Sequence, residues 1–187
     1  MRTHRLAVFA LIALGALVLA GCYGGNDSAD TEAPVFLSAD ITDGVADVEI
    51  SVLADVIIPT MNIQSHAKSP SVTLSAQDDV VLSEWVTTST RTDGGTVASP
   101  VFHNYNLTVY VPAGGTANLK NFRIFPSDYF SQPPLHQLFP ANGGFDKETN
   151  KTNIRQRLHI EVFGKTVAGK KVSLVFDVNL NFFYVTP

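Results

Sequence analysis

Lys171 to Thr186 reads KVSLVFDVNLNFFYVT. Val172, Leu174, Phe176, Val178, Leu180, Phe182 and Tyr184 recur at every second position. Ser173, Asp177, Asn179 and Asn181 stand between them, with Val175 and Phe183 as exceptions. Side chains of a strand alternate between its two faces, so the pattern predicts one long strand with a buried face. A helix, at about 3.6 residues per turn, would scatter the same side chains around its circumference.

The preceding segment repeats the pattern. Ile154, Gln156, Leu158, Ile160 and Val162 alternate with Arg155, Arg157, His159 and Glu161. Gly164 to Gly169 reads as the turn, which makes 154–163 and 171–185 a hairpin. Further strands are expected at 45–53, 57–65, 71–75, 80–89, 102–111 and 117–125. Asp43-Gly44, Ser69-Pro70, Asp93-Gly94-Gly95 and Pro112-Ala113-Gly114-Gly115 punctuate them. Seven or eight antiparallel strands at this spacing predict an all-β fold, an immunoglobulin-like β-sandwich with one long loop. An up-and-down β-barrel around a cavity, carrying a hydrophobic ligand, is the alternative. No cysteine pair brackets Trp85. Strict alternation puts Val80, Leu82 and Val86 on one face of its strand and Val81, Ser83 and Trp85 on the other. That strand is therefore central, or one of its faces meets a partner.

Residues 35–187 are of one-domain size, and a domain of this size buries about 70% of its unfolded surface. The core needs no disulfide to be self-sufficient. Charge is uneven along the chain: residues 22–100 carry 12 acidic and two basic side chains, residues 101–187 five and nine. The acidic half argues against a nucleic-acid partner.

Motifs of catalysis are missing. There is no phosphate-binding glycine loop with lysine, no His-Glu-x-x-His, no Gly-x-Ser-x-Gly and no Cys-x-x-Cys. His66, His103, His136 and His159 lie far apart without metal-ligand spacing. Asp146-Lys147-Glu148-Thr149-Asn150 alternates oxygen ligands as a calcium loop does, but Lys151 stands where such a loop turns on glycine. It reads as a charged loop end. No catalytic residue, metal site or cofactor is expected.

Pro126 to Asn153 is long for a connection inside a compact domain. Tyr129, Phe130, Leu135, Leu138, Phe139 and Phe145 make it too aromatic for a solvated linker. Pro133 to Phe139 suits a helical turn or two, proline being harmless at a helix start. The segment either caps an open end of the sandwich or presents Tyr129, Phe130, Leu135 and Phe139 to an envelope protein or glycan. Aromatic anchors are what binding hot spots use.

Met1 to Arg5 is a short basic stretch, and Leu6 to Gly21 is free of charge. Together they read as a secretory signal peptide, too short in its apolar part to span a bilayer comfortably. Leu19-Ala20-Gly21-Cys22 resembles the lipobox of bacterial lipoproteins. The resemblance covers residues 1–22 and implies cleavage before Cys22 and a diacylglyceryl group on its thiol. Ordinary cleavage after Ala20 is the other reading. Two acyl chains anchor stably where one does not. Tyr23 to Pro34 is small, polar and acidic, a flexible tether of roughly 20 Å. Lipoproteins with aspartate after the cysteine tend to stay in the inner membrane. Tyr23 there points to the outer membrane. The expectation is a signal peptide over 1–21, a lipidated cysteine and tether over 22–34, and a non-enzymatic binding or structural module of the cell envelope.

Overall fold

The computed structural model describes residues 32–41 and 46–185. Among the described residues nine strands form: β1 (Val35–Ile41), β2 (Asp47–Glu49), β3 (Val56–Ala67), β4 (Val80–Arg91), β5 (Phe102–Asn104), β6 (Val109–Val111), β7 (Thr116–Phe125), β8 (Asn153–Thr166) and β9 (Lys171–Phe183). One sheet has the order β1–β3–β7, the other β2–β9–β8–β4–β5, and β6 also pairs with β4. All described pairs are antiparallel except β2 with β9. With β3 and β7 in one sheet and β4, β8 and β9 in the other, the order is that of an immunoglobulin-like sandwich. The sheets do not close on each other, so the barrel alternative is corrected: β1 and β7 are edges of the smaller sheet. A ligand carrier built on a barrel loses its lumen with it.

The alternation that predicts β9 is also its packing. Val172, Leu174, Phe176, Val178, Leu180 and Phe182 are all buried. Ile154, Leu158, Ile160 and Val162 of β8 lie beside them. From the smaller sheet Val35, Leu37, Ile58, Met61 and Ile63 complete the interior. Each such side chain contributes about 1.5–3 kcal/mol by leaving water. Trp85 bridges the layers: its ring lies 4.7 Å from Phe122 of β7, and Phe122 lies 6.4 Å from Phe176. The tryptophan of the third large strand is thus packed on aromatics, with no disulfide beneath it.

The strands expected at 45–53 and 102–111 are each shortened or broken, leaving Asp47–Glu49 from the first and Phe102–Asn104 and Val109–Val111 from the second. Three further expectations are revised. The register of β4 slips against β8 between Leu82 and Glu84, so Val80, Leu82, Trp85 and Thr87 all point inward. The bulge adds one residue and inverts the alternation beyond it. Gly164 belongs to β8 and faces this bulge; a Cβ there would sit 2.4 Å from the Val81 carbonyl oxygen. It serves close backbone approach, and the turn is shorter than expected, since pairing continues to Lys165 opposite Lys171. Residues 71–75 form no strand: Ser75 opens a short 3-10 turn, Ala76–Asp78, in a capping box with Asp78.

The two ends of the sandwich differ. Where the chain enters, the Lys68 amide donates to the Pro34 carbonyl, and Val35 pairs with Ala67. The turn after β8 is at the same end, with Val167 and Ala168 amides bonded to Asp79 and Gln77 carbonyls. The Asp79 carboxylate holds this end together, accepting from the Tyr110 hydroxyl and, at 2.7 Å, from the Ala113 amide. The opposite end carries residues 92–101 and the long segment 126–152.

Candidate functional site

The long segment is a lid on the core. It runs through three 3-10 turns, Ser127–Ser131, Leu135–Leu138 and Pro140–Asn142. Phe130 and Leu135 are fully buried and Leu138 nearly so. The Phe130 ring lies 5.9 Å from Phe125 and 6.2 Å from Phe182, which closes the end of the sheet interior. Tyr129 is half-buried, edge-on to Phe125 and Phe102, and its hydroxyl donates to the Val101 carbonyl at 3.1 Å. Phe139 is half-buried against Tyr184, 5.3 Å between rings. Of the four aromatic and aliphatic contact residues expected, Phe130 and Leu135 therefore offer no surface to a partner in this conformation. Tyr129 and Phe139 keep part of theirs, and Phe145 is the more exposed neighbour, at 39%.

A buried arginine fastens this lid. Arg91 ends β4 pointing inward, its side chain 1% exposed. It donates to Asp93 at 2.8 and 3.0 Å, to Asp146 at 2.7 Å and to the Val97 carbonyl at 3.3 Å. Gly95 lets the guanidinium pack on the backbone, since a Cβ there would lie 2.3 Å from its Cζ. The Arg155 amide donates to Asp93, and the Thr149 hydroxyl to Asp146. Glu148 accepts from the amides of Thr96 and Val97. Burial works against the charges of Asp93 and Asp146. The hydrogen bonds from Arg91 to Asp93, and from Thr149 and Arg91 to Asp146, outweigh it and hold both carboxyls below the usual range. Glu148 is likewise lowered, first by the Thr96 hydroxyl and then by the Val97 and Thr96 amides. Of the alternating oxygens of residues 146–150, those of Asp146 and, at 3.5 Å, Glu148 thus meet a guanidinium. Among the described residues no cluster of three His, Cys, Asp or Glu is arranged to hold a metal.

The histidines stay apart. His159 pairs with Asp177 at 2.8 Å on an open sheet face, both half exposed. His66 stacks on Phe36 and bonds Ser38, and His103 stacks on Tyr105. His136 lies in the lid with its Nδ1 buried and unpartnered.

Beside the lid, the outer face of the larger sheet forms two adjoining clefts of about 260 and about 320 Å³. Thr92 and Arg155 line both; Asn153, Lys151 and Asp93 complete one, Asp47, Asn179 and Asn181 the other. The register sets Arg157 between Thr90 and Asn179, and Arg155 opposite Asn181. Asn153 Nδ2 donates to Asn181 Oδ1 at 2.6 Å, and Asn181 Nδ2 to Asp47 Oδ1 at 2.9 Å. The polar half of each alternating strand carried this face in sequence, but only register assembles it. A third groove, about 680 Å³, lies near the chain-entering end with Glu32, Glu84, Lys165 and Lys171 on its walls, a balanced set of charges.

Cys22 lies outside the described residues. Comparison with protein-family models, curated proteins and solved structures found no match.

Proposed function

We propose that the chain is a bacterial lipoprotein, anchored through lipid on Cys22, that serves the cell envelope as a non-enzymatic binding or structural module. The observation that carries this reading is Leu19-Ala20-Gly21-Cys22 after a basic and then an apolar stretch. The small, polar and acidic composition of residues 23–32 supports it, because a lipid anchor needs slack between headgroups and domain. Ala33 and Pro34 already belong to the sandwich, the one buried and the other accepting from the Lys68 amide. Tyr23 in place of aspartate favours the outer membrane. The fold supports an orientation: the chain enters beside the β8–β9 turn, so the lid and the two clefts face away from the bilayer. Strand β9, of 13 residues, separates the ends by about 40 Å. An envelope protein or glycan is the partner such a presentation suits.

Metabolic labelling with palmitate tests the anchor. Label incorporated into wild type and absent from Cys22→Ala is the expected result. An unlabelled wild-type protein defeats the reading.

A further inference from the structure

We infer that the outer face of β4, β8 and β9 beside the lid binds an acidic polysaccharide through Arg155 and Arg157. This deepens the envelope-module reading by naming the partner's chemistry. Four arginines lie among the described residues. Arg91 and Arg123 are ion-paired, with Asp93 and Asp146 and with Asp55. Arg155 and Arg157 are exposed and have no side-chain partner among the described residues. They occupy alternate positions on one strand, so their side chains leave the same face about 7 Å apart. Their cross-strand neighbours on β9 are Asn181 and Asn179, and Arg157 faces Thr90 on β4. Two carboxylates do line the clefts, but Asp93 is taken up by Arg91 and Asp47 accepts from the Asn181 amide, and neither is ion-paired with Arg155 or Arg157.

Two features fit a sugar acid. A guanidinium matches a carboxylate, as it does a phosphate, with two parallel hydrogen bonds. The amides and hydroxyls around it, Asn153, Asn179 and Thr92, each both donate and accept, which is what rows of sugar hydroxyls require. The bonds from Asn153 to Asn181 and from Asn181 to Asp47 fix two of the amides before any ligand arrives. The clefts on either side of Arg155 give a chain of rings a track along the face. The whole protein is acidic, so the attraction is local and weakens with salt over a Debye length of about 8 Å at physiological strength.

The test uses the full chain in detergent and titrates polygalacturonate oligomers by calorimetry, with their methyl esters and poly-glutamate as comparisons. Expected are binding of the free-acid oligomer, loss with the ester, and at least about tenfold weaker binding in Arg155→Gln/Arg157→Gln. Asn179→Ala weakens binding further, while Arg123→Gln leaves it unchanged. No binding of the acid oligomer, equal binding of poly-glutamate, or full affinity in the double variant overturns the inference. The palmitate experiment reads the anchor separately, so failure here leaves that result standing.

Discussion

Arg91 is a charge placed where an alternating strand puts its core residues, and the surroundings are built to accept it. Asp93 meets it with both oxygens, Asp146 with one, and a glycine makes room for the guanidinium plane. Removing one partner of such a group leaves the others buried and uncompensated, which costs about 3–5 kcal/mol. Arg91→Met is therefore expected to lower the unfolding free energy measured in urea by that amount, while Arg123→Met, at a half-exposed pair, lowers it by under about 1 kcal/mol. Equal effects of the two changes would contradict the account. Little of this was legible in sequence. Arg91 was visible as one of two basic residues in an acidic half, but Asp146 lies 55 positions away and reads locally as a loop acid. The proposed anchor at Cys22 rests instead on a contiguous motif, and Cys22 lies outside the described residues.

At the scale of elements, legibility follows how local the deciding interaction is. β8 and β9 were readable because buried and exposed positions alternate without interruption along each. β4 misled because its bulge leaves no local mark: Ser83-Glu84 is ordinary, and Gly164, the residue that permits the close approach, sits on another strand. β1 was missed because only Val35 and Leu37 of its seven residues are buried apolar side chains, and because it follows directly on the tether. The segment 126–153 showed its aromatic content but not its direction, since only the sandwich end tells which rings face the core. Phe130 now ranks with the core, stacked on Phe125 and against Phe182. Phe130→Ala is expected to cost about 3–5 kcal/mol in equilibrium unfolding, and Phe145→Ser to stay within about 0.5 kcal/mol. A neutral Phe130→Ala would show that the lid does not close the core.

For the whole molecule, both ends of the sandwich are held by carboxylates whose charged form the fold favours. Asp79 is lowered by the Tyr110 hydroxyl and the Ala113 amide at one end. Asp93, Asp146 and Glu148 are lowered at the other, and Asp55, bonded by the Ser127 amide and Arg123, beneath the lid. A carboxyl with a depressed folded pKa binds fewer protons folded than unfolded, so stability rises with pH through that window. It is fully present above the unfolded values, about 4, and is lost as pH falls through the folded ones. The urea midpoint should hold steady from pH 7 to about 5 and drop below about 4, less steeply in Arg91→Met. A midpoint unchanged down to pH 3 would contradict the assignment.

The same two ends give the molecule its proposed polarity, one tied to the membrane and the other free to bind. That polarity depends on where the polypeptide begins after processing and on what it carries there. Mass spectrometry of the amino-terminal peptide from the native envelope reads both at once. The account predicts a peptide that starts at Cys22 and bears a diacylglyceryl group on sulfur. A peptide that starts at Gly21 with a free thiol, or that retains the leader, would contradict it.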